Sequence, residues 1–140
     1  MKNWYGAAGI CINDQGKILM VKQGLPEEEK RWSIPSGEIE TNETYEACCM
    51  REISEETGYD VQIVKALFIK ESVEQGIDVK VHYFEVEVIG GMPVIQDPDH
   101  LIYEIGWKST NEIKQLSLSF EGDRAFLLNF IHEKMKGVQR

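Results

Sequence analysis

Basic residues are scarce in this 140-residue sequence, which has 15 lysines and arginines against 24 aspartates and glutamates. The resulting net charge of −9 disfavours a broad surface for nucleic acid or for an anionic membrane, since both need clustered positive charge. An anionic small molecule remains compatible with this charge, because a bound divalent cation inverts the electric field around it. We therefore expect a small-molecule substrate, and neither nucleic acid nor membrane as a partner.

Long apolar stretches and cysteines are also few. No apolar run approaches the roughly 18 residues of a membrane span, and no basic segment followed by an apolar one predicts a signal peptide. The three cysteines are odd in number and two of them are adjacent, at Cys11, Cys48 and Cys49. This pattern favours a reducing cytoplasm over a disulfide framework, with the cysteines as small fillers that are buried or semi-exposed. We expect one cytoplasmic domain over residues 1–140.

Short apolar and alternating segments predict more strand than helix. Strands are predicted at residues 7–13 and 18–21 as a hairpin or two adjacent strands, at 32–34, at 61–74 and 78–89 as a long hairpin, and at 101–107. Ser119 is the expected N-cap of a last helix. The buried stripe of that helix is expected at Phe120, Leu127, Phe130, Ile131 and Met135. The order of elements predicts an α+β fold.

A central segment predicts a helix that carries three carboxylates on one face. Glu52, Glu55 and Glu56 are spaced by three and four residues, which places them side by side on a helix. Like charges at this spacing destabilise a helix unless a cation lies between them. A hard divalent cation prefers such oxygen ligands, so the spacing indicates a metal site.

The expected boundaries of this helix follow from capping preferences. Thr41 or Asn42 is the expected N-cap, with Glu43 in the first turn, and Gly58 is the expected left-handed stop. Projection of the helix predicts two separate faces. One holds the carboxylates with Tyr45, Cys48 and Cys49, and the other packs on the core through Ala47, Met50 and Ile53.

Residues 37–59, GEIETNETYEACCMREISEETGY, resemble the Nudix box, G-x5-E-x7-R-E-U-x-E-E-x-G-U, where U is a bulky apolar or aromatic residue. An acidic run alone usually faces water, but nine defined positions at fixed spacing form a specific match. These positions are Gly37, Glu43, Arg51, Glu52, Ile53, Glu55, Glu56, Gly58 and Tyr59. The resemblance covers nearly the whole chain and implies the Nudix fold, an α/β/α sandwich with a central mixed β-sheet.

The resemblance also implies an activity, namely Mg²⁺-dependent hydrolysis of a pyrophosphate bond in a nucleoside diphosphate linked to another group, with Mn²⁺ as a substitute. Glu52, Glu55 and Glu56 would hold the metal. Either Glu52 or Glu56 would also take the proton of the attacking water, and the sequence does not choose between them. Arg51 would orient a carboxylate. The backbone around Gly37 would approach the metal or a phosphate, since glycine allows close approach.

Some members of the family use an additional acid from beyond the box. Glu104 is the expected additional metal ligand, ahead of Asp99 and Glu85. Glu38 stands where a phosphate-contacting lysine is common in the family, which leaves Lys22 or Arg31 to bind substrate.

Glu40 is a further candidate at the substrate. Trp32 is expected in the core or a pocket wall, and His82 and His100 are expected at the surface because neither has a partner at metal-ligand spacing.

The substrate and the assembly are less defined by the sequence. Substrate-specific motifs that follow the box in some branches of the family are absent, which favours a nucleoside triphosphate or a related nucleotide. The alternative is a catalytically silent nucleotide-binding or regulatory module with the same fold. Homodimers are common in the family, and no feature of this sequence decides the oligomeric state.

Overall fold

The computed structural model describes residues 2–95 and 101–137. These ranges form seven strands and three helices, in the order β1 (Asn3–Cys11), β2 (Ile18–Gln23), β3 (Arg31–Ser33), β4 (Ser36–Glu38), α1 (Tyr45–Thr57), β5 (Tyr59–Glu74), β6 (Ile77–Gly91), β7 (Ile102–Lys108), α2 (Thr110–Gln115) and α3 (Asp123–Lys136). None of the helices in the described ranges has both the length and the apolar character needed to cross a bilayer.

The strands form two sheets. The first sheet has the strand order β4-β1-β6-β5, in which β1 and β6 run parallel and the other neighbours run antiparallel. The second sheet is antiparallel with the order β3-β2-β7. The first sheet is therefore mixed.

Helices cover both faces of the first sheet. On one face α1 buries Cys48, Cys49 and Ile53 against residues of β1 and β6. On the other face α3 buries Leu127 and Phe130, because its apolar positions recur at helical spacing. The predicted α/β/α sandwich is confirmed.

The long hairpin is confirmed as β5 and β6. Its turn contains Gln75 and Gly76, both left-handed with φ of 53° and 78°, which matches the twist of the flanking strands. Register shifts at three places, between Asp60/Val61, Ile63/Lys65 and Ala66/Phe68, bend β5 at the edge of the first sheet.

The predicted pairing of the first two strands is wrong. β1 and β2 belong to different sheets, and an isolated bridge between Ile12 and Ile18 lies just after the end of β1. Both edges of β1 are occupied, by β4 and β6, so β2 pairs with β3 and β7 instead.

The predicted start of the last helix is also wrong. α3 begins at Asp123, and the Ser119 N–H donates to the Trp32 carbonyl at 2.9 Å, which ties this segment to β3 instead. Phe120 is 53% exposed and does not belong to a buried stripe. Ahead of this segment α2 begins with a capping box between Ser109 and Glu112, a signal present in the sequence as Ser-x-x-Glu.

Candidate active site

α1 begins later than its sequence suggests. The N-cap is Thr44, whose hydroxyl accepts the Ala47 N–H at 3.0 Å, so Thr41 and Asn42 are not the cap. Asn42 has φ of 66°, whereas an N-cap needs extended backbone. The expected stop at Gly58 is confirmed by its φ of 81°.

Glu43 precedes the helix rather than lying in its first turn, and it binds Arg51. The Arg51 guanidinium donates from Nε at 2.7 Å and from Nη2 at 2.9 Å to the two oxygens of Glu43. This hydrogen bonding lowers the pKa of Glu43 and raises that of Arg51. A fork of this kind fixes the plane of the guanidinium.

The same guanidinium also contacts the carboxylates of α1. Its Nη1 lies 2.5 Å from Glu52 and 3.4 Å from Glu55, while Nη2 donates to the Glu38 carbonyl at 3.1 Å. Arg51 therefore orients Glu52 from the side opposite Glu43. Its more distant contact with Glu40, at 3.7 Å from Nε, places Glu40 at the rim of this network.

Gly37 lets the Glu52 side chain press against strand β4. A Cβ atom at position 37 would lie 2.0 Å from Cδ and Oε2 of Glu52, which no real contact allows. The close approach expected around Gly37 is therefore made to a carboxyl group of the protein itself. Burial is the main cause that raises the pKa of Glu52.

Glu56 lies beside Glu52 on the inner side of the helix. It is 6% exposed, and its carboxyl group lies close to that of Glu52. Two carboxylates this close repel each other unless a positive charge lies between them. The pair is thus suited to hold a cation.

The donor set suits a hard divalent metal ion. Glu52, Glu55 and Glu56 offer oxygen donors only, which is the chemistry that Mg²⁺ and Mn²⁺ prefer. No three acidic, histidine or cysteine side chains in the described ranges already converge as a metal cluster. Within this donor set the Arg51 guanidinium contacts both Glu52 and Glu55.

The backbone N–H and C=O groups of successive β4 residues point alternately toward β1 and toward the open edge of the sheet. The Ile39 N–H donates to the Tyr5 carbonyl at 2.9 Å, and the Gly9 N–H donates to the Pro35 carbonyl at 3.1 Å. Gly37 is midway between these pairs, opposite Ala7, so its own polar groups point toward β1.

The Gly37 carbonyl also accepts the Cys48 thiol at 3.5 Å. It is therefore engaged within the fold rather than directed outward as a ligand. The carbonyls of the flanking residues, Ser36 and Glu38, point toward the open edge of β4. Arg51 donates to the Glu38 carbonyl at this edge. The Ser36 carbonyl lies on the same edge.

The two predicted faces of α1 are not separate. Cys48 and Cys49 lie in the core with Ile53 rather than beside an exposed acidic face. Burial raises the pKa of each of these two thiols to about 12. The separation fails because α1 lies so close to β1 and β4 that Glu52 and Glu56 are also enclosed. All three cysteines are buried, so the prediction of small buried fillers is confirmed.

The structure does not bring the expected additional acids to the carboxylates of α1. Glu104 pairs with Lys22 at 3.7 Å and is 58% exposed. Its neighbours Ile105 and Trp107 face the α1 side of the second sheet, so Glu104 faces away from α1. Glu85 lies beneath α3 and pairs with Lys134 at 2.7 Å. Asp99 lies outside the described residues.

The remaining sequence candidates are dispersed. Arg31 is half exposed, and its Nη2 lies 3.6 Å from a carboxylate oxygen of Glu29 rather than beside a carboxylate of α1. Trp32 is buried, as predicted, with the Lys108 ammonium 4.1 Å from its ring centre. His82 is partly buried and stacks on Tyr45 at 3.6 Å, and His100 lies outside the described residues.

A cavity of about 320 Å³ lies on the opposite face of the first sheet from α1. Trp4, Ile34, Val79 and Phe120 contribute apolar walls, and Ser36 places one side of it beside the edge of β4. The sequence does not predict this cavity. Its walls come from β1, β4, β5, β6, the link between β3 and β4 and the segment that leads into α3, and no local motif joins them.

The polar floor of this cavity is formed by Asp123, which is 7% exposed. The Tyr83 hydroxyl donates to its two oxygens at 3.0 and 3.1 Å, and the Lys70 ammonium lies 3.1 Å from one of them. Burial and the Asp123 carboxylate raise the pKa of Tyr83. The hydroxyl therefore stays protonated and acts as a donor.

A second, more open cleft of about 530 Å³ adjoins the cavity. Its polar wall includes Gln23, Glu28 and Arg31. Phe120 lines both spaces and forms the partition between them.

Comparison with known proteins agrees with the fold. The family model described as NUDIX domain matches residues 2–130. Nudix hydrolase 5 of Arabidopsis thaliana is 29% identical over 127 residues, which is 88% of this chain and 42% of that protein. An ADP-ribose pyrophosphatase of Bacillus subtilis is 45% identical over 53 residues, 37% of this chain and 29% of that one.

A solved structure of a NUDIX hydrolase from Nitrosomonas europaea superimposes with a TM-score of 0.79 at 21% identity, covering 99% of this chain and 92% of that chain. At this identity the likeness shows the fold, and the expectation from residues 37–59 is confirmed at that level. The chain spans about a third to two fifths of the length of the first curated relatives that it matches, 32% and 42%.

Proposed function

The chain belongs to the NUDIX domain family, and from this premise we propose that it hydrolyses a pyrophosphate bond in a nucleoside diphosphate linked to another group. The observation that carries the proposal is the contact of Glu52 and Glu56 beside Gly37, held by Arg51. The diphosphatase and pyrophosphatase names of relatives and structural neighbours support the same reaction class. We propose that residues 1–140 act as one such domain.

We assign the metal site to Glu52, Glu55 and Glu56, with Mg²⁺ as the cation and Mn²⁺ as a substitute. When bound, a divalent cation supplies positive charge that offsets the diphosphate and makes a neighbouring water more acidic. The Ser36 carbonyl, at the open edge of β4, is a better placed backbone donor than the Gly37 carbonyl. Glu104 is not brought into this set by the described contacts.

The protein's own groups would orient the reactants and move a proton. Arg51 holds the Glu52 carboxyl group in one plane through its fork to Glu43. Glu56, in contact with Glu52 and almost fully buried, is our choice for the group that takes the proton of the attacking water. Attack of water on phosphorus breaks the pyrophosphate bond and leaves two product molecules, each of which carries a phosphate group.

The organic group of the substrate would occupy the cavity across the first sheet. Its volume of about 320 Å³ lies within the usual range of roughly 300–1,000 Å³ for small-molecule sites. Ser36 lies both in the cavity wall and beside Gly37, which links the cavity to the carboxylates. A nucleoside triphosphate or a related nucleotide fits this arrangement.

The decisive experiment compares the wild type with Glu56→Gln on a panel of nucleoside triphosphates, nucleotide sugars, ADP-ribose and dinucleotides. Mg²⁺ or Mn²⁺ is added, and the products are identified by mass. We expect cation-dependent cleavage that falls by about 10²–10⁴-fold in Glu56→Gln, which is the usual contribution of a general base. Product masses in ¹⁸O-labelled water identify the phosphorus that is attacked.

Glu133→Gln is the matched control, because Glu133 is exposed on α3, the helix on the opposite face of the first sheet. It should retain wild-type turnover. Full activity of Glu56→Gln would overturn the assignment of the base. Absence of cation-dependent products across the panel would overturn the reaction class and favour a nucleotide-binding module instead.

A further inference from the structure

Phe120 is placed unlike a core residue. It is 53% exposed, yet its ring lines both the apolar cavity and the polar cleft. Large exposed apolar side chains that border a cavity commonly mark contact with a ligand. Its position is thus better explained by what enters the cavity than by packing of the protein.

The backbone around Phe120 is fixed. The Ser119 N–H donates to the Trp32 carbonyl at 2.9 Å, and the Phe120 carbonyl accepts the Asp123 N–H at 3.0 Å. These bonds attach the residue to β3 on one side and to the start of α3 on the other. The ring is therefore carried by a preorganised segment, which lowers the entropic cost of ligand binding.

The ring is also oriented by charge. The Lys70 ammonium lies 5.3 Å from the Phe120 ring centre, within cation–π range. Asp123 holds the same ammonium at 3.1 Å, so the lysine is anchored from the cavity floor. One part of the ring is thus engaged by Lys70, while about half of the residue's surface is still accessible.

The geometry points to Phe120 as a specificity-determining residue that stacks on a flat aromatic ring of the substrate. The walls that accompany it, Trp4, Ile77 and Val79, are apolar and suit the faces of a heterocyclic base, while Asp123 and Ser72 supply polar contacts for its edge. This inference rests on the proposed function, because the ring belongs to the same substrate. A phosphate-bearing group without an aromatic ring would gain nothing from Phe120.

The test measures binding without turnover. Dissociation constants of AMP, GMP, CMP and UMP are measured by NMR titration in EDTA, and ribose 5-phosphate serves as the probe that lacks a base. We expect Phe120→Leu to weaken binding of the preferred nucleotide by roughly tenfold, because an aliphatic side chain cannot stack on a base as an aromatic ring does. Binding of ribose 5-phosphate should not change, and Phe120→Trp should restore nucleotide affinity.

Tyr103→Leu is the matched control. Tyr103 is another partly exposed aromatic residue with a lysine ammonium over its ring, at 4.8 Å, and it lies outside both spaces. It should leave nucleotide binding unchanged. Equal losses for ribose 5-phosphate and nucleotides in Phe120→Leu, no loss at all, or no binding of any nucleotide by the wild type would overturn the inference.

The two proposals fail separately. Nucleotide binding that depends on Phe120, with no hydrolysis in the presence of Mg²⁺, would overturn the reaction class and support the stacking role. Hydrolysis at the same rate in the wild type and Phe120→Leu, and with substrates that lack a base, would support the reaction class and overturn the stacking role.

Discussion

At residue 37 the absence of a side chain sets the position of a functional carboxyl group. Because a Cβ atom there would lie 2.0 Å from the Glu52 carboxyl group, we expect Gly37→Ala to displace Glu52 from Arg51 and Glu56. A displacement of about 1 Å can cost on the order of 10²-fold in rate. We expect that loss in kcat with the most active substrate of the panel.

Gly122→Ala is the control for this substitution. A Cβ atom at position 122 meets nothing within 4 Å, and its φ is −61°, so activity should be unchanged and stability equal or slightly higher. If Gly37→Ala retained wild-type kcat, the close approach of Glu52 to β4 would have no role in catalysis.

The contact between the Glu52 and Glu56 carboxyl groups should lower the free energy of unfolding, although it serves activity. In Glu56→Gln an amide N–H can donate to the Glu52 carboxylate, so an attractive contact replaces the contact between two acidic groups. We expect the metal-free variant to be more stable than the wild type by about 1 kcal/mol, a common gain when a strained functional site is relaxed. Urea unfolding in EDTA measures this difference.

The contribution of Glu52 to stability has a pH dependence of defined sign. Burial raises the folded-state pKa of Glu52, so its contribution to stability is present below the unfolded pKa of about 4.3 and is lost as pH rises through the folded pKa. Glu52→Gln cannot ionise at this position, so its stability relative to the wild type should grow as pH rises above about 4.3, measured by urea unfolding in EDTA. A difference between these two proteins that is constant with pH would contradict the raised pKa of Glu52.

At the scale of elements, the N-cap of α1 decides where the helix begins and hence which residues face β4. The Thr44 hydroxyl accepts the Ala47 N–H, so Thr44→Ala should cost about 1 kcal/mol of unfolding free energy. Thr41 is exposed and lies outside the helix, so Thr41→Ala should change stability by less than about 0.5 kcal/mol. Chemical denaturation would show the reverse order if the helix began one turn earlier.

Local signals predicted elements well and their partners poorly. The helix stop at Gly58 and the turn at Gln75-Gly76 follow from short-range backbone preferences, and both are found. The N-cap was missed because Asn42 adopts a left-handed backbone, which favours a turn over a cap. The separation of β1 from β2 depends on the strands that occupy both edges of β1, and these lie far away in sequence.

The candidate site also has one part that local sequence signals predict and another that they do not. Glu52, Glu55, Glu56 and Arg51 lie within six residues of one helix, so their spacing predicts their proximity. The cavity joins Trp4, Lys70 and Asp123, whose assembly requires the whole sheet and the start of α3. No periodicity in the sequence could place these three together.

At the scale of the whole molecule, an ion pair between a buried glutamate and a half-buried lysine joins the C-terminal helix to the first sheet. Glu85 of β6 is 6% exposed, and the Lys134 ammonium of α3 lies 2.7 Å from its Oε2. Lys134 also lies over the Phe130 ring, 5.7 Å from its centre. The pair therefore fixes the end of α3 over β6, on the face opposite α1.

Removing only the lysine should leave the glutamate buried without its main counter-charge. We expect Lys134→Met to lower the free energy of unfolding by about 1–3 kcal/mol, measured by urea denaturation with tryptophan fluorescence. Lys136→Met makes the same change at an exposed position of the same helix and should be neutral. The double variant Glu85→Leu/Lys134→Met should recover most of the loss, because apolar residues of similar volume often replace a buried ion pair without cost. A double variant that loses as much as the two single variants together would mean that the two residues stabilise the fold independently and that α3 is not held by their pairing.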